Sequence, residues 1–313
     1  MAAPAVQLAR LPWLAPLFVR ALALAAVRRQ GGARVGDELP ALAVSVPGVR
    51  VDPARLAAYR AVCACADGGD GGDVLPPAFP ETLFIGLLAK LVTARGFPLS
   101  PLGLIHVRQT LVEHAPIHVS EALALACRLE ALRSSARGVE VDWRMEVQVG
   151  GRLAWEGCAT MLSRSRTARG VTAPPGARSP HPPVGGAPPL AIVDVPEPTG
   201  RRYALASGDW NPHHLWALTA RPIGYRRPIA HGMWTLARLL AELARDGCVA
   251  GLLDAEVAFK QPIAMPGRVA LFASRASDAG GAALDVTVRP AGGEGLHLVG
   301  RVAHASAAVR TRR

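Results

Sequence analysis

The strongest constraint on this chain is an order of elements that occurs twice. In the first half Asp52 caps a helix with Pro53 at its first position, running ARLAAYRAVCA. A Gly/Asp loop follows, and then the apolar helical stretch Glu81 to Arg95, closed by Gly96. A helix this apolar has to be wrapped by other structure. Four strand-like runs come next, LGLIHVRQTLVEHAP, EALALACRLEALRS, GVEVDWRMEVQVG and RLAWEGCATMLS. The second has helical propensity too, but its short length between turn signals and its neighbours assign it to a strand.

The second half repeats the scheme. RRYALASG reads as a short helix and His231 to Arg245 as a long apolar one stopped by Asp246-Gly247, before the strands LLDAEVAFKQPIAM, GRVALFASRAS, ALDVTVRP and LHLVGRVAHAS. LIHVRQTLVEHAPIHVSEAL and LLDAEVAFKQPIAMPGRVAL share a strand, a Pro-Ile step and a second strand. The predicted class is α+β, with two antiparallel curved sheets that each wrap a long helix and pair side by side. Residues 1–35 form an amphipathic leader, 36–163 the first unit, 164–189 a Pro/Gly/Arg-rich linker and 190–313 the second unit.

Composition narrows the possible partners. The net charge of +11 raises nucleic acid, but the arginines are scattered and only Lys90 and Lys260 are lysines. With no aromatic RNA-binding run or helix-turn-helix signature, the charge fits the phosphates of an anionic small molecule better than a duplex. Cys63, Cys65, Cys127, Cys158 and Cys248 are odd in number and form no CxxC pair, so a reducing cytoplasm is expected. The leader LPWLAPLFVRALALAAVRR is broken by Arg20 and followed by Arg28-Arg29, which favours an amphipathic helix over a signal peptide. No uncharged stretch approaches the length of a membrane span.

Chemistry concentrates between Tyr203 and Met233. Asp209 stands five residues before His214, with Asn211 and Pro212 stiffening the turn, so both side chains can face one cleft as a general acid/base pair. Further on, Ile229-Ala230-His231-Gly232-Met233 opens the run WTLARLLAEL, which puts the Gly232 amide at a helix N-terminus where it can hold an oxyanion. Asn211 orients the loop through side-chain to backbone bonds, and Ser207 and His231 shape it. Asp209, His213, His214 and His231 lack a helical HxxxH pair or a cysteine partner, so no metal is expected. Arg226, Arg227 and Lys260 flank the motif and are the candidates for substrate phosphates. His106 reads as a packed strand residue, and the first half has no Asp-x-Asn-Pro-x-His, so one site per chain is expected.

Tyr203, Ala204, Ser207, Gly208, Asp209, Asn211, Pro212 and His214, then Ile229, His231, Gly232 and Met233, resemble the motif of MaoC-like dehydratases of the hot-dog fold. Phe259-Lys260-Gln261-Pro262 and Pro266-Gly267 extend the likeness, and the first half looks like the degenerate hot-dog of the two-domain, actinobacterial members. The resemblance implies a double hot-dog that reversibly hydrates trans-2-enoyl thioesters to (R)-3-hydroxyacyl thioesters in fatty-acid metabolism. It implies no metal or redox cofactor, a substrate carried on coenzyme A or acyl carrier protein, and Asp209 and His214 sharing one water. A hot-dog thioesterase and a non-catalytic acyl-thioester or lipid-binding module are the rival readings, and a homodimer is left open. His213 replaces a usual aliphatic residue, and Trp210, Trp216 and Trp234 are bulky additions that bear on acyl length. The degenerate half is a means of widening a groove for a long chain.

Overall fold

Alternation of apolar and polar residues builds the sheet. In β5 (Gly138–Val149) Val141, Trp143, Met145 and Val147 are buried while Asp142, Arg144 and Glu146 between them are only partly so, the period of a strand with one face on a core. The computed structural model describes residues 6–27, 39–65, 72–164, 188–276 and 283–305. Most of the linker expected at 164–189 lies outside them, as do parts of the leader.

The first unit contains β2 (Ala43–Val49), β3 (Leu104–Glu113), β4 (Leu123–Ser135), β5 and β6 (Arg152–Arg164), preceded by the short β1 (Val6–Gln7). The second contains β7 (Ala191–Val195), β8 (Leu253–Phe259), β9 (Gly267–Arg275), β10 (Ala283–Pro290) and β11 (Leu298–His304). EALALACRLEALRS is the strand β4, as its alternation requires. The two sheets pair side by side, as the sequence predicts. β3 pairs antiparallel with β8, Thr110 opposite Glu256, and this one seam fuses them into an eleven-stranded sheet in the order β1-β2-β4-β5-β6-β3-β8-β11-β10-β9-β7. All pairings are antiparallel except that of β1 with β2.

Helices pack against the sheet. Helix α1 (Leu14–Val27) belongs to the leader, and α2 (Pro53–Cys63) starts as its sequence demands, with the Asp52 carboxylate accepting from the Ala54 amide. The expected Glu81–Arg95 helix is shorter. A 3-10 stretch (Pro80–Phe84) precedes α3 (Ile85–Val92), because the Thr82 hydroxyl bonds the Phe79 carbonyl at 2.8 Å and competes with the regular ladder. The second unit adds α4 (Thr199–Ser207), α5 (Ala217–Ala220) and α6 (Gly232–Arg245), the last nearly all buried. Among the described residues no helix is long and apolar enough to cross a membrane.

Candidate active site

Helix α4 ends because Gly208 takes the left-handed conformation (φ 82°), where glycine alone is unstrained, and this swings Asp209 off the helix end. The Asp209 amide donates to Ser207 Oγ at 3.1 Å. Asp209 Oδ1 accepts from the Asn211 amide at 3.2 Å and from Asn211 Nδ2 at 2.7 Å. Asn211 therefore grips the carboxylate itself rather than the backbone the sequence suggested. Pro212 then starts a single 3-10 turn that delivers His214 into the interior.

His214 has one tautomer available. Its Nδ1 is 2.7 Å from the Ile229 carbonyl, which only accepts, so Nδ1 carries the proton and Nε2 keeps a bare lone pair. His231, the residue before α6, donates from Nε2 to the Asp209 carbonyl at 3.0 Å and stacks on His214 with centroids 3.5 Å apart and planes 25° from parallel. Burial pushes the His214 pKa well below its ordinary value, helped by His231 and His213, and takes His231 down to about 3. Both rings are neutral at physiological pH.

An Asp209 oxygen and one ring nitrogen each of His214 and His231 lie within 4.8 Å of one another. Stacked imidazoles, however, keep their lone pairs in nearly parallel planes. Such lone pairs do not converge on a single ion with the geometry that metal ligands adopt.

Gly232 is the first residue of α6, so its amide has no carbonyl a turn earlier to bond. A Cβ there would come within 3.1–3.3 Å of the Phe259 ring, and the ring's other neighbour is His106, 4.9 Å away between centroids. His106 is a packed strand residue, but it also faces the site, neutral with a pKa lowered to about 4 by burial.

These groups share a cavity of about 1000 Å³ with contributions from both units. Asp209, His214, His231 and Gly232 lie along it. Its lining combines apolar residues of α1 and α3 with the polar groups of Arg137, Arg164, Lys260 and His297. Lys260 thus reaches the cavity, with its pKa lowered by burial and by the nearby Arg137 and Arg108. Arg226 and Arg227 do not reach it. Both are exposed, and Arg227 donates to the Pro266 carbonyl at 3.1 Å. Of the added tryptophans only Trp210 lines the cavity, while Trp234 is buried elsewhere with Nε1 on the Val62 carbonyl at 2.9 Å.

Two residues of the first unit were not singled out from sequence. Arg55 on α2 donates to the Ala206 carbonyl at 2.6 Å, to Thr82 at 2.9 Å and also to Ser207, tying down the end of α4 just before Asp209. Glu81 lines the cavity, its carboxyl pushed up to about 8 by burial and then by the charge of Asp209, against the pull of Arg55. Nothing local marks either residue. Arg55 is about half the chain away from the carbonyls of Ala206 and Ser207.

Tandem hot-dog units with one acid–imidazole site at their seam define the class of double hot-dog proteins. Residues 181–289 match the model of the MaoC like domain. Over 254 residues the chain is 33% identical to 3-hydroxyacyl-thioester dehydratase X of Mycobacterium tuberculosis, covering 81% of this chain and 86% of that protein. The crystal structure of the same organism's HtdX superposes with a TM-score of 0.69 at 29% identity, over 83% of this chain and 98% of that one. A MaoC-like dehydratase from Phytophthora capsici has a TM-score of 0.65 at 12% identity, over 87% and 97%, a likeness of fold. The chain belongs to the MaoC-like dehydratase family.

Proposed function

We propose that the protein is a hydro-lyase that reversibly hydrates trans-2-enoyl thioesters to (R)-3-hydroxyacyl thioesters in fatty-acid metabolism. The observation that carries the reading is the tautomer of His214. A neutral ring with Nε2 bare, beside an Asp209 carboxylate on the same cavity wall, is a pair that can hold and deprotonate one water.

In the hydration direction the water oxygen bonds to C3, one water proton is taken up by the pair, and a proton passes from the pair to C2. The pair ends as it began, and the same steps reversed are the dehydration. Delivery from one side gives syn addition. As the C2–C3 double bond is consumed, charge gathers on the thioester oxygen, where the Gly232 amide and the α6 N-terminus stabilise it. Asn211 and Ser207 hold the Asp209 loop, and His231 fixes the spacing between that loop and His214.

Arg137 and Lys260 of the cavity lining supply cations for the phosphates of the carrier, coenzyme A or the prosthetic arm of acyl carrier protein. All five cysteines are free thiols, which supports a cytoplasmic enzyme. The test is hydration of crotonyl-CoA, followed by loss of the conjugated absorbance, with wild type, Asp209→Asn and His214→Ala. Each substitution is expected to lower turnover by about a hundredfold or more. Three folded proteins with equal, negligible rates would reject the assignment, and release of free thiol would favour a thioesterase.

A further inference from the structure

We infer that helix α1 is the wall that measures the acyl chain, and that the preferred substrates carry medium to long chains. The inference rests on the thioester reading above. Leu14, Leu17, Phe18 and Ala21 follow the i, i+3, i+4, i+7 pattern, which puts them on one helix face, and all four line the cavity, giving it an apolar side. Leu88 and Val92 of α3 line the same cavity.

The helix is pinned where a wall must be. Its first turn meets the catalytic loop, since a Cβ on Gly208 would lie 3.3 Å from Leu14 Cδ1. Pro12 sits close enough to Gly86 of α3 that a Cβ there would come within 3.2 Å of it. Farther along, Arg20 Nε donates to the Thr93 carbonyl at the end of α3, at 3.0 Å. Thus α1 begins beside Asp209 and runs outward along α3, and the acyl chain has an apolar surface to follow away from the reacting carbons.

The length of that side follows from the helix. Leu14 to Ala21 is seven residues, a rise of about 10 Å. An extended alkyl chain advances about 1.2 Å per bond, as an extended backbone does, so the wall accommodates roughly eight methylenes beyond the reacting carbons. That corresponds to acyl chains of about ten to twelve carbons. Each methylene laid on the wall is expected to raise kcat/KM about fourfold until the wall ends.

The experiment is kcat/KM for trans-2-enoyl-CoA of four, eight, twelve and sixteen carbons, for wild type and Ala21→Phe, with Leu17→Phe as a second variant should the first fail to fold. The wild type is expected to favour twelve carbons over four by at least tenfold. The substitution is expected to lower that ratio by at least tenfold and move the optimum toward eight. Thermal shift with saturated dodecanoyl-CoA and butyryl-CoA reads the same preference without turnover, so the gauge is tested even if hydration fails. Hydration with a flat length profile, or an unchanged ratio in both folded variants, overturns the gauge and leaves the reaction standing. Absent hydration, with dodecanoyl-CoA still protecting wild type more than variant, overturns the reaction and leaves the gauge standing.

Discussion

Gly200 does not line the cavity, yet its replacement is expected to lower turnover about a hundredfold. It lies in the first turn of α4, and its bare Cα faces the backbone of His214. A Cβ built there would fall on the His214 carbonyl oxygen, 3.0 Å from its carbon and 2.8 Å from Met265 Cε. The methionine end can swing aside, but a carbonyl held in a 3-10 turn cannot. Restoring ordinary contact requires α4 and the Pro212–His214 turn to separate by more than about 1 Å, a displacement that costs roughly a hundredfold when it misplaces a catalytic group.

Gly200→Ala should therefore lower kcat on crotonyl-CoA by about a hundredfold or more, equal to about 2.7 kcal/mol of transition-state stabilisation. Overpacking should lower stability by about 1–3 kcal/mol as well, so kinetics are to be measured below the variant's thermal midpoint. Leu205→Ala, on the exposed side of the same helix, is the control and should match wild type. A folded Gly200→Ala protein with kcat within threefold of wild type would refute the claim that this packing sets the position of His214.

Two other outcomes follow from the first unit's reach into the site. Arg55→Ala should lower kcat at least tenfold with KM little changed, because the carbonyls of Ala206 and Ser207 lose their donor and Asp209 loses its anchor, and Arg55→Lys should recover part of the loss; equal falls in both, tracking thermal stability, would mean a structural role only. Glu81 is protonated in the folded chain up to about 8, against 4.5 as the ordinary value, so the stability it confers is complete below 4.5 and is lost as pH rises toward 8. Glu81→Gln, which keeps a neutral side chain at every pH, should match wild type near pH 4.5 and exceed it by pH 8 in thermal midpoint; parallel curves would show that Glu81 ionises normally.

Much of this was legible because local signals and tertiary needs agree. Asp52-Pro53 starts α2, Gly208 ends α4, and the alternation in EALALACRLEALRS outweighs its helical propensity because one face has a core to cover. The closeness of Asp209, Asn211 and His214 was legible for the same reason, as a short turn brings near neighbours together. What stayed hidden depends on chain crossings that no local pattern encodes. Arg226 and Arg227 are near the motif in sequence, but their loop carries them into solvent. Arg137, far earlier in the chain, arrives beside Lys260 because the β4–β5 turn and the end of β8 meet at the cavity mouth. That the two sheets pair side by side was legible, but which strands form the seam was not, since any two alternating strands carry the same pattern.

That seam ties the first unit to the site. Glu113 at the end of β3 accepts from the Leu253 amide at the start of β8, so the two sheets are joined by a side chain as well as by the ladder. Across the cavity Arg55 reaches into the second unit to hold the loop of Asp209, and α1 lines the cavity's apolar side. If the first unit were only a spacer, its contacts with the site would be apolar and interchangeable. Instead it supplies a directional clamp on the loop of Asp209, through Arg55, and through α3 part of the apolar lining of the cavity.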